Sequence, residues 1–119
     1  MIEIGSRERN QAPPPHIVCQ SLSEPNNGPG RAWLELLDDE QPPVTITTDP
    51  PHTVTWSSIW TRRPDAVIRF NLSTDGSDGT SLRWTVLVSE PAPDAALVGH
   101  IRKRMNELIN ANLRYTYGQ

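Results

Sequence analysis

Proline placement constrains this chain more than any other feature. Twelve of its 119 residues are prolines, and a proline fixes φ, removes a backbone donor and breaks a helix anywhere past its first turn. Pro13, Pro14 and Pro15 therefore permit a short helix over His16 to Leu22 only by standing at its start, and it ends before Pro25. Asn26, Asn27, Gly28, Pro29 and Gly30 make a loop on turn chemistry. Pro42 with Pro43, Pro50 with Pro51, and Pro64 cut the middle into extended segments of ordinary strand length. Pro91 and Pro93, with Asp94 as a cap, signal the start of a helix.

Within those limits the pattern is mostly of period two. Ile2, Ile4, Ser6 and Glu8 share one face of a first strand, with Glu3, Gly5, Arg7 and Arg9 on the other. Val44 to Thr48 is a short β-branched strand. From His52 to Trp60 the inward face is Val54, Trp56, Ser58 and Trp60; Ala66, Ile68, Phe70 and Leu72 repeat it, and Leu82, Trp84, Val86 and Val88 repeat it again. Asp75 to Gly79 supplies the positive φ angles of a hairpin, so an antiparallel meander follows. Ala32 to Leu37 suits a helical turn or a strand. From Asp94 to about Leu113 the period is helical: Leu97, Ile101, Met105, Leu108 and Asn112 form a stripe flanked by Val98 and Ile109. Arg102, Lys103, Asn106 and Asn110 lie away from it, so the basic cluster reads as a solvated face.

The length fits one domain over 1–119 with one core. A net charge of -3 gives no overall field for nucleic acid. No apolar run approaches a membrane span, and the start lacks a signal peptide's apolar core, which leads us to expect a cytoplasmic protein. Cys19, the single cysteine, reads as a buried thiol. There is no nucleophile elbow and no phosphate-cradling glycine loop, and His16, His52 and His100 lack metal-ligand spacing, so no metal or cofactor is expected. Asp38, Asp39 and Glu40 read as a solvated bend before prolines.

The informative constellation is aromatic. Trp56, Trp60, Phe70 and Trp84 all take the inward face, and rings of this kind fill cores or line small-molecule sites. Opposite them stand Ile101, Met105 and Leu108 of the helical stripe. Asn112 sits near the centre of that stripe and Arg104 at its edge, about 60° from Ile101. Buried polar groups need partners, which here are a ligand or backbone groups near the helix end.

A strand, a short helix, a meander and a long C-terminal helix make an α+β arrangement in which one sheet wraps one helix. Trp33 to Glu40 followed by Pro43 to Thr48, the step Asp49 to Trp56, Thr80 to Val88 and the helix Gly99 to Asn112 carry a resemblance over nearly the whole chain. The chain resembles the START-related helix-grip superfamily (SRPBCC), in particular its small bacterial polyketide cyclase and heat-shock-ATPase-activator branch. The resemblance implies a strand at Ala32 to Leu37, hence an antiparallel sheet of about six strands around the long C-terminal helix. The inward rings and the polar residues on the stripe point to a helix-grip domain that holds a small apolar or aromatic ligand between sheet and helix, with Asn112, Arg104 or Ser58 orienting one polar group. Two rivals stand beside that reading. One is a cyclase- or dehydratase-like enzyme, for which His52, His100 and Glu107 are the titratable candidates. The other is a protein-interaction or homodimeric module of the chaperone-activator type, whose mark is an exposed apolar patch.

Overall fold

The alternation between Thr53 and Val88 resolves into neighbouring strands of one antiparallel sheet. A computed structural model describes residues 1–24 and 33–118, and the statements below concern those residues. The elements are β1 (Ile2–Gln11), α1 (Pro15–Ser23), β2 (Thr45–Asp49), β3 (Thr53–Ser57), β4 (Val67–Thr74) and β5 (Thr80–Val88). They are followed by α2 (Ala95–Met105), a π-helical continuation (Asn106–Leu113) and a last turn, α3 (Arg114–Thr116). The sheet order is β1-β5-β4-β3-β2. Val54 pairs with Phe70, Phe70 with Trp84, and Trp56 with Ile68, so the inward rings form a contiguous patch. No described helix is long and apolar enough to cross a membrane.

The short helix begins at Pro15, as the proline rule requires, and buries Val18, Cys19 and Leu22. The β4–β5 hairpin turns through Gly76 (φ 88°) and Asp78 (φ 68°), while Asp75 Oδ1 accepts from the Ser77 and Gly79 amides. Asp94 caps α2 by accepting from the Leu97 N–H at 2.9 Å. Leu97, Ile101, Met105, Leu108, Ile109 and Leu113 are buried against the sheet's inner face. Tyr117 then donates its hydroxyl to Ser21 Oγ at 2.8 Å, tying the chain's end to α1.

Three expectations change. The sheet has five strands rather than about six. Residues 33–37 are irregular because side chains hold their backbone: Arg104 bonds the Glu35 carbonyl and Glu40 accepts from the Leu37 N–H. Ala32 and the loop Asn26 to Gly30 lie outside the described residues. Second, β3 stops at Ser57, because the Ser58 hydroxyl accepts from the Trp60 N–H at 3.0 Å and donates to the Arg63 carbonyl at 2.7 Å, which bends the chain. Third, a bulge between Glu3 and Gly5 exchanges the faces of β1. Beyond it Gly5, Arg7, Arg9 and Gln11 pair with Val86, Trp84, Leu82 and Thr80. These odd positions, and not Ser6 and Glu8, take the inner face. Gly5 lets the helix come close there: a Cβ on it would stand 2.7 Å from Arg102 Cγ.

Candidate ligand-binding interior

Strand parity brings the expected rings into one interior: Trp56, Trp60, Phe70 and Trp84 are each no more than 2% exposed. Ile101, Met105 and Leu108 face them from the helix side of the core and are fully buried. Trp33, contributed by the irregular stretch, stacks on Trp56 at 6.0 Å, and Trp56 meets Phe70 edge-on at 4.7 Å. The three buried indoles of β3 to β5 are not equivalent. Trp56 donates its N–H to the Leu22 carbonyl at 2.7 Å, a bond that fastens α1 to the sheet. Trp60 Nε1 and Trp84 Nε1 are buried donors with no partner. A buried unpaired donor gives up its hydration without replacement, which costs about 1–3 kcal/mol.

The polar residues expected at this site are placed otherwise. Ser58 is spent within its own turn. Arg104 is 6% exposed and fully engaged: Nε and Nη2 grip both oxygens of Glu40 at 2.9 and 2.8 Å, and Nη2 also donates to the Glu35 carbonyl. Glu40 thus belongs to the interior, not to a solvated bend. Burial pushes its carboxyl up, but the Arg104 guanidinium and the Leu37 N–H outweigh this and hold it below the ordinary value. The same Glu40 contact raises Arg104. Nothing local in the sequence distinguishes Glu40 from Asp38 and Asp39; the clue is Arg104 itself, a cation beside an apolar stripe that requires a counter-ion.

Asn112 is only half-buried, and Asn110, expected outside, is 7% exposed. The π-helical turns cause both. In an α-helix the residue stacked over Met105 is Ile109, and the stripe continues to Asn112; with i→i+5 bonding each turn takes one more residue. Asn110 moves over Met105, and Leu113 takes the buried place of Asn112. Asn110 Nδ2 bonds Asn106 Oδ1 at 2.8 Å, but its own Oδ1 is buried without a partner. Gln11, brought inward by the bulge and 0% exposed, donates to the Ile109 carbonyl at 3.3 Å and leaves its Oε1 unpaired. The signal for Gln11 was the glycine inside β1, a mark of bulges.

The titratable candidates do not converge. His52 and Glu107 are exposed, and His100 is half-buried on α2. Arg63 and Asp65, within the turn after Trp60, form a clamp: Asp65 accepts from Arg63 Nε and Nη2, both at 2.9 Å, and from the Ser89 N–H. The Arg63 contact holds the Asp65 carboxyl well below the usual carboxylate range. This clamp joins the turn to the end of β5 and faces no ring.

No family model matches the chain and no curated protein matches it in sequence. Solved structures do. The Aha1 dimer from Colwellia psychrerythraea superposes with a TM-score of 0.70 at 15% identity, covering 98% of this chain and 96% of that one. CalU16 from Micromonospora echinospora gives 0.57 at 19% identity over 90% of this chain and 74% of its own. A protein from Nitrosospira multiformis gives 0.66 at 14% identity, with coverages of 95% and 94%. The chain shares the helix-grip fold of these structures, and identities this low speak to fold alone.

Proposed function

We propose that the chain works as one helix-grip domain, in the cytoplasm, that binds a small apolar or aromatic molecule between its sheet and its C-terminal helix. The observation that carries this reading is the pair of buried, unpartnered indole donors of Trp60 and Trp84. A core built only for stability satisfies such groups, as Trp56 is satisfied by Leu22. A ligand with an acceptor atom supplies what these two lack, while its apolar body gains roughly 25 cal/mol for each Å² removed from water. The rings of Trp84 and Phe70, cross-strand neighbours, give that body a flat surface. The test is a titration of ¹⁵N-labelled protein with 2-naphthol. The indole N–H signals of Trp60 and Trp84 should move with saturation while that of Trp56 moves least. If all indole signals stay fixed at the solubility limit of the probe, the reading is lost.

A second reading, partner binding, is favoured by a separate observation. Among the described residues β2 is an edge strand without Lys or Arg, and Val44 before it and Ile46 within it are 67% and 53% exposed. Open edges without basic side chains pair with other strands. The similar Aha1 structure is described as a dimer, and a homodimer through this edge is the form the reading takes here. Sedimentation of the wild type against Ile46→Lys decides it: a dimer lost on substitution supports pairing, and a monomer at all concentrations removes it.

A further inference from the structure

We infer that the π-helical end of the long helix holds a subsite for a neutral hydroxyl group of the ligand, formed by Gln11, Asn110 and Arg114. This rests on the interior-binding reading above and adds to it an orientation and a chemical class.

The three residues share a feature that packing does not explain. Gln11 Oε1, Asn110 Oδ1 and Arg114 Nε are all buried atoms with no hydrogen-bond partner. Gln11 and Asn110 meet the helix at Ile109. Gln11 reaches Ile109 through the bond from its Nε2 to the Ile109 carbonyl. Asn110 follows Ile109 directly, and Arg114 stands four residues beyond Asn110, about one turn further along the same helix. The assignment of the Gln11 amide is fixed by that bond, because exchanging its N and O would set two acceptors against each other. The Asn110 amide gives its Nδ2 to Asn106 Oδ1, which leaves Oδ1 as its unpaired atom.

The donor and acceptor count then selects the ligand group. Two carbonyl oxygens require a donor, and one guanidinium N–H requires an acceptor. A hydroxyl has one proton to give and lone pairs to receive, so a single O–H accepts from Arg114 Nε while donating to one of the two carbonyl oxygens. A carboxylate would accept from Arg114 Nε but meet the two carbonyl oxygens with like partial charge. A methyl group would satisfy none of them. The subsite therefore takes a hydroxylated ring or alcohol, entering with its hydroxyl toward β1 and its apolar body toward Trp84.

Three near-isosteric probes test this: 2-naphthol, 2-methylnaphthalene and 2-naphthoate, titrated by NMR with the indole and side-chain amide signals read together. The wild type should bind 2-naphthol about ten-fold more tightly than 2-methylnaphthalene, the size of one well-made buried hydrogen bond, and at least that much more tightly than 2-naphthoate. The Gln11 and Asn110 amide signals should shift with 2-naphthol only. Gln11→Met and Asn110→Leu, each keeping approximate volume, should shrink the ratio of 2-naphthol to 2-methylnaphthalene to about two-fold or less. Equal affinities in the wild type, as expected if a buried water already serves the three atoms, would overturn the subsite while leaving interior binding intact. A ratio that persists in the folded variants overturns it as well. If no probe moves the Trp60 or Trp84 signals, interior binding fails and the subsite with it. Should one variant not fold, the wild-type ratio and the other variant still decide.

Discussion

At the scale of single residues, the most buried ion pair among the described residues joins Arg104 and Glu40, whose side chains are 7% and 0% exposed. A buried ion pair of this kind adds little over an apolar pair, but removal of one partner strands the other charge. Arg104→Met should therefore lower stability by about 3–5 kcal/mol, and adding Glu40→Gln should recover much of that loss, both read by urea denaturation. The pH dependence has a definite sign. Glu40 lies below its unfolded value of 4.5, so it contributes stability above that pH and loses it as pH falls through the folded value. Glu40→Gln should accordingly unfold with a shallower acid limb below about pH 4.5 than the wild type, whose limb also contains Asp65. What the sequence conveyed at this scale was burial, not pairing. Strand parity identifies Trp56, Trp60, Phe70 and Trp84 as inward because alternation is a local property. It does not find Glu40, which is distinguished from Asp39 only by a residue 64 positions away.

At the scale of elements, two irregularities decide which polar groups reach the interior. The bulge in β1 turns Gln11 inward, and the π-helical turns after Met105 turn Asn110 inward and replace Asn112 by Leu113. Each inserts one residue into a regular period, so each defeats a face assignment made from that period. The regular stretches were legible for the same reason. Asp94 marks the helix start, Pro15 the short helix and the Asp-Gly pairs the hairpin, each through a bond or torsion made within a few residues. Deleting the exposed Ala111 should return the helix to α period, placing Leu113 where Asn112 would otherwise stand and turning Asn110 toward solvent. The variant should keep its helical circular dichroism, while its preference for 2-naphthol over 2-methylnaphthalene falls from about ten-fold to near unity.

At the scale of the molecule, five antiparallel strands and one long helix enclose the rings, and the arrangement was readable from prolines, alternation and the C-terminal period taken together. Among the described residues the sixth strand implied by the resemblance does not form, because Arg104 and Glu40 claim the backbone of residues 33–37. The same pair thus links the helix to the open side of the sheet, opposite the β1 seam where Gly5 admits Arg102. Trp84 and Met105 are buried in the core between sheet and helix. The most direct test of binding there is a crystal soaked in 6-bromo-2-naphthol and measured at the bromine edge. The account requires a bromine peak between sheet and helix, in van der Waals reach of Trp84, with the hydroxyl toward Gln11 and Asn110. Bromine found only at the surface, over an interior closed by its own side chains, would contradict it.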